Sequence, residues 1–240
     1  LLFIIWYKCN KEKREGEYFV INREQFNDLI VKEEKEQLIN LLIDSLDKEI
    51  VSVRELYKER ILPSIEDFEC PFQEDPLCIW KEHVRTSTTR TIIEVIYPYL
   101  LKERKPFNGK KIIMTCPSEE YHELPLRVVS DWFELNGFKS VFAGGNTPLN
   151  ALIMALDYEK PDYLGLSVSN PYNLYKAQNI IDAVREKDSS IGIIVGGRAF
   201  NKNNDFVKTM DFDVFLKNID DIDAFAASLM VDVGEKRDGE

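Results

Sequence analysis

The sequence is short of histidine, of long apolar runs and of clustered positive charge, and each shortage removes a class of function. Thirty-one basic residues against 42 acidic ones leave a formal charge of −11 over 240 residues, with no basic stripe to offset it. Such a surface repels phosphate backbones, so no nucleic-acid partner is expected. The most apolar stretch, residues 1–7, is followed at once by charged residues. It falls well short of the roughly 20 residues a spanning helix needs, so no membrane partner is expected. Residues 1–22 read as an N-terminal arm. Four cysteines, Cys9, Cys70, Cys78 and Cys116, stand at irregular spacing. They make no disulfide framework and no tight zinc-ligand pairs, and suggest ordinary thiols in a reducing, cytoplasmic compartment. What is plentiful is apolar residue, 44% of the chain, enough for substantial cores.

The hydrophobic period changes along the chain. From about residue 23 to residue 101 it is helical: Phe26, Leu29 and Ile30, then Leu38, Leu41, Leu42 and Leu46, then Val53, Leu56, Tyr57, Ile61 and Ile65 recur at three and four residues. Ser52 with Glu55 predicts a capping box, and Pro63 predicts a kink or restart. A long helix over 77–101 would align Ile79, His83, Thr86, Arg90, Ile93 and Tyr97. Residues 23–104 are therefore expected to form a bundle of about four helices. Beyond a linker holding Pro106 and Gly109, short apolar runs at 111–116, 140–145, 162–169, 191–197 and 211–216 alternate with helical segments near 121–136, 148–159, 172–187 and 201–210 and after 219. Strands apolar throughout, joined by helical crossovers, imply a parallel sheet covered on both faces. The expected architecture is all-α plus α/β: a four-helix-bundle cap followed by a Rossmann-like, flavodoxin-like sheet of five strands over residues 109–234.

Ligands of such sheets bind at the carboxyl ends of the strands. The loop after the first strand carries no glycine-rich dinucleotide fingerprint and no P-loop, which disfavours nucleotides held on a helix N-terminus. It carries instead His122, one of only two histidines in the chain, with Glu120 two residues before it. An imidazole whose far nitrogen is held by a carboxylate is an oriented, strengthened donor to a transition metal. A surface histidine beside acidic residues that favour a helix N-terminus would give the same local pattern.

Residues 120–125 (Glu-Tyr-His-Glu-Leu-Pro) resemble the D-x-H-x-x-G signature of cobalamin-binding domains, with Glu for Asp. The segment from Leu166 to Ser169 resembles that family's S-x-L element, and Ile194 to Gly197 its G-G turn. The resemblance implies that His122 coordinates the lower face of cobalt, that Ser167 and Ser169 touch the buried nucleotide base, and that Gly196 and Gly197 leave room for the nucleotide tail. Pro125 stands where the family has glycine, and Glu119 where a glycine usually precedes the acidic residue. In the helical half, Glu82-His83 resembles the Glu-His pair in the caps of light-sensing, adenosylcobalamin-dependent regulators, with Phe72 where those have a tryptophan. The implied function is a cobalamin-binding sensor, more a binding protein than an enzyme, whose bundle covers the upper ligand. Adenosylcobalamin is the cofactor expected first, with methylcobalamin or haem as alternatives. With about 25 residues before the first helix, no DNA-binding unit is expected ahead of the bundle, and output is expected to pass through homo-oligomerisation or a signalling partner. The rival implications are a corrinoid methyl carrier serving a methyltransferase and a haem-binding sensor.

Overall fold

Our computed structural model describes residues 21–66, 76–200 and 205–235. The helical half opens with α1 (Arg23–Val31) and α2 (Lys35–Asp47). Asn22 caps α1 reciprocally with Gln25, satisfying two of the amides a helix start leaves without partners. The expected box of Ser52 and Glu55 forms and starts α3 (Val53–Leu56). α3 passes through a π-helical turn at Tyr57–Ile61 into α4 (Leu62–Glu66). Pro63 has no N–H to donate into this ladder, and the chain answers with a widened turn rather than a break. The long helix α5 runs over Pro76–Glu103. The apolar residues picked out by period, among them Phe26, Leu38, Leu42, Leu56, Tyr57 and Ile61, are fully buried.

Five parallel strands follow: β1 (Lys111–Pro117), β2 (Lys139–Thr147), β3 (Tyr163–Ser167), β4 (Gly192–Gly196) and β5 (Val214–Phe215), in the order β2-β1-β3-β4-β5. The crossovers are α6 (Leu124–Leu135), α7 (Leu149–Glu159) and α8 (Leu174–Lys187), and α9 (Ile219–Glu235) closes the fold. This is the doubly wound flavodoxin-like order, with its switch point between β1 and β3. The segment at 201–210, expected as a helix, shows in its described part only a 3-10 turn at Val207–Thr209.

One face of the sheet packs on α7 and α8 through Leu152, Leu156, Ile180, Ile181 and Val184. The other packs on α6 and α9, and there the core continues into the bundle: Tyr57, Ile92 and Ile96 belong to the same buried cluster as Trp132, Phe133 and Ile222. The bundle thus leans on α6, beside the carboxyl edge of β1. Among the described residues no helix is long and apolar enough to cross a membrane. Cys116 is a buried free thiol, whereas Cys78 is disulfide-bonded, which corrects the expectation of ordinary thiols at that residue.

Candidate functional site

A cleft of about 1160 Å³ lies between α5 and the carboxyl edge of the sheet and runs down over the sheet face toward α6 and α9. Its size exceeds the roughly 300–1,000 Å³ usual for small-molecule pockets. His122 stands at its rim on the loop after β1, with its side chain largely exposed.

Glu120 explains how that histidine is held. Its side chain is 1% exposed, yet each carboxylate oxygen is occupied. Oε1 accepts from His122 Nδ1 at 2.6 Å and from the His122 amide at 3.2 Å. Oε2 accepts from the amides of Ser169 (3.1 Å) and Asn170 (2.9 Å) and from Asn173 Nδ2 (3.2 Å). Burial opposes the charge, but the bonds from His122, Asn170 and Asn173 outweigh it and bring Glu120 down to about 2. An ionised carboxylate cannot donate, so Nδ1 carries the proton and Nε2 is the nitrogen left for a ligand. The bond from Glu120 raises the pKa of His122; burial opposes the rise, Glu82 adds to it, and Arg198 lowers it.

The backbone around this pair is constrained. Glu119 lies in the left-handed region at φ 65°, which makes plain why glycine suits that position in the resembling motif. Its amide donates to Asn146 Oδ1 at 2.9 Å, its carbonyl accepts from Asn173, and its carboxylate pairs with Lys176 at 2.6 Å. Pro125 lies in the first turn of α6 and lines the cleft.

Of the residues singled out from sequence, Glu82, His122, Ser167, Ser169, Gly196 and Gly197 line the cleft, and Glu120 lies beneath His122. His83 is exposed on α5 and is not among the lining residues, because the wall is formed by Cys78, Ile79, Glu82, Arg85, Thr86, Thr89 and Arg90. That stripe steps from Ile79 by three residues rather than four, which turns His83 out of it. Phe72 lies outside the described residues. Asn173, Asn146 and Glu123 were missed; Asn173 is the buried amide that completes the seat of Glu120.

The lining also suits a large, partly polar, flat-sided ligand. A Cβ on Gly165 would stand 2.4 Å from Met114 Sδ, and one on Gly197 (φ 95°) 2.5 Å from the Val168 carbonyl oxygen. Only glycine keeps the backbone open at these places. Thr89, on the bundle wall, is fully buried with a hydroxyl oxygen that has no partner among the described residues.

An imidazole held by a buried carboxylate thus stands on the first strand's loop at a cleft beside the switch point. Residues 110–222 match the family described as "B12 binding domain". The chain therefore carries a cobalamin-binding module. Comparison with curated proteins gives no match. Among solved structures, the chain is similar to the monomethylamine corrinoid protein of Methanosarcina barkeri, at 17% identity and TM-score 0.70 over 87% of this chain and 96% of that one. A cobalamin-binding protein from Desulfitobacterium hafniense DCB-2 matches at 17% identity and TM-score 0.43, over 88% of this chain and 97% of its own. The methanol:cobalamin methyltransferase complex of M. barkeri matches at 18% identity and TM-score 0.46, over 92% of this chain and 88% of its own. At these identities the first likeness carries the fold, bundle included, and the other two carry no argument.

Proposed function

We propose that the protein binds cobalamin with His122 Nε2 as the lower axial donor and serves as a corrinoid carrier whose bundle covers the upper face. The observation that carries this reading is the Glu120–His122 pair: a buried carboxylate saturated with hydrogen bonds, holding an exposed imidazole by its other nitrogen. Ser167, Ser169, Gly196 and Gly197 would receive the nucleotide base and tail, and Glu82, Thr86 and Thr89 would face the upper side. Bound cobalamin would supply a cobalt centre able to hold and release a one-carbon group. The chain's own part is to orient the imidazole, with its Nδ1 proton donated to the Glu120 carboxylate.

The light-sensing alternative rests on the Glu82-His83 pair and Phe72. Glu82 faces the cleft and keeps that reading in play; His83 does not, and this favours the carrier, with a methyltransferase as partner. A cytoplasmic location loses the support of uniformly free thiols through the Cys78 disulfide.

Absorption spectra of the protein reconstituted with adenosylcobalamin, methylcobalamin and haem in turn test the cofactor. His122→Ala should change the bound spectrum, and an unchanged one rejects the ligand assignment. Small-angle scattering of the adenosylcobalamin complex before and after green light separates the two functions: a sensor changes shape when the adenosyl group leaves, and a carrier does not.

A further inference from the structure

His122 is held from below by Glu120, but its loop is also held from the side. Glu123, the next residue, donates its amide to the Tyr121 carbonyl at 2.9 Å and places its carboxylate over the end of β2. There Oε2 accepts from the Gly145 amide at 2.6 Å, while Oε1 takes an ion pair from Arg90 Nη1 at 2.8 Å. Arg90 belongs to α5, in the bundle; Glu123, Gly145 and His122 belong to the sheet half. The loop residues on the other side of His122 rest on the same turn, since Asn146 accepts from the Glu119 amide at 2.9 Å and donates to the Glu120 carbonyl at 3.0 Å.

A second observation points the same way. A Cβ on Gly144 would stand 2.9 Å from Glu123 Oε2, and one on Gly145 would stand 2.9 Å from the Glu120 carbonyl oxygen and 3.1 Å from Glu123 Oε2. The end of β2 is therefore shaped to receive this carboxylate and this loop. Gly144 lies at φ 82° and Asn146 at φ 52°, conformations that are tolerated where surrounding contacts require them.

We propose that Arg90 is a positioning residue for His122, acting through Glu123, so that docking of the bundle and presentation of the imidazole are coupled. With the bundle in place, Arg90 holds Glu123 against Gly145 and the loop keeps the conformation that aims Nε2 into the cleft. When the bundle leaves, Glu123 loses the only cation paired with it among the described residues, and the loop relaxes toward Asn146 alone. The inference rests on His122 being the lower donor for its consequence in binding, but the coupling itself exists in the empty protein.

The test uses the full chain and has two arms. In the first, without ligand, the imidazole Cε1–H resonance of His122 is followed by NMR; the sequence has two histidines, and His83→Gln assigns them. Arg90→Met should move the His122 resonance, Glu123→Ala should move it in the same direction, and the double variant should move it no further than Glu123→Ala. Arg90→Lys should restore most of the original position. In the second arm, aquocobalamin is titrated by absorbance. Arg90→Met should weaken binding by roughly two- to fivefold, the range a half-exposed ion pair supplies, and Glu123→Ala by roughly tenfold or more, since a hydrogen bond to a charged group is lost too. An unmoved His122 resonance in a folded Arg90→Met protein overturns the coupling whatever the affinity does. Absence of aquocobalamin binding in the parent protein overturns the cofactor reading instead, and leaves the first arm to decide the coupling.

Discussion

Replacing Asp131 by asparagine should flatten the pH dependence of stability between about pH 4 and pH 7. Asp131 lies on α6 where the bundle meets it, 2% exposed. Its Oδ2 accepts from Tyr57 of the π-turn at 2.5 Å, and Oδ1 stands 3.2 Å from Arg127 Nε. Glu94 of α5 reaches the same guanidinium at 3.7 Å, and Glu134 and Tyr97 lie alongside. Burial pushes Asp131 up from 3.8 to about 6; Glu134 adds to this, while Tyr57 and Arg127 oppose it. A folded pKa above the unfolded one means that the native state holds the proton more tightly. The stabilisation is therefore complete below about pH 4 and is lost as pH rises through 6. Two pKa units correspond to about 3 kcal/mol across that window. Asparagine keeps an acceptor for Tyr57 but cannot ionise, and it leaves Arg127 without its carboxylate. The slope of stability against pH is thus a cleaner readout than its value at any one pH. Urea unfolding of both proteins at half-unit steps from pH 4.5 to 8 measures it. His122 also has a raised pKa and loses stabilisation in the same direction, but it does so equally in parent and variant and cancels in the difference. Curves that run parallel to within about 0.5 kcal/mol would refute the argument that the carboxylate is strained by burial at this seam.

Other substitutions test the site directly. Glu120→Ala leaves the Ser169 and Asn170 amides and the Asn173 side chain without their acceptor, so stability at pH 7 should fall by about 3 kcal/mol in urea unfolding. Because Glu120 sits near 2 against an ordinary 4.5, its contribution is whole above pH 4.5 and fades as pH falls toward 2. The acid-unfolding midpoint of Glu120→Ala should accordingly be less steep. Gly197→Ala places a methyl 2.5 Å from the Val168 carbonyl oxygen at φ 95° and should cost about 2–4 kcal/mol of thermal or chemical stability. Pro125→Gly removes a ring from the cleft wall; cobalamin titration should show tighter binding, while stability falls by about 1 kcal/mol for glycine in a helix turn.

The fold was legible because it depends on periods. A spacing of three and four gave the bundle, and uninterrupted apolar runs separated by helical segments gave five strands of a parallel sheet. The loop with Glu120 and His122 was legible because of its place after the first strand. What escaped depends on geometry that one sequence does not encode locally. Asn173 acts on Glu120 across 53 positions, and Gly145 meets Glu123 across 22. The pair Gly144-Gly145 looked like the end of a strand; its function appears only when a side chain from another loop needs the space of a Cβ. His83 stands off the cleft lining for a smaller reason: on a long helix a choice between three and four residues rotates the chosen face by about 100°.

The seam between bundle and sheet differs from the cores on either side. Its centre is apolar, with Ile92 and Ile96 in the same cluster as Trp132 and Phe133. Its edges are ionic or hydrogen-bonded: Arg90 to Glu123, Arg54 and Lys58 to Asp223 and Asp220, Tyr97 and Arg104 to Glu134, and Arg198 to the Glu66 carbonyl. An apolar centre with a polar rim is the anatomy of a packed interface between two structural halves. The cleft lies along the polar side, where His122, Glu82 and Arg90 stand. The buried Asp131–Tyr57 pair is the exception, a polar contact inside the apolar centre, and its raised pKa makes the firmness of the seam a function of pH.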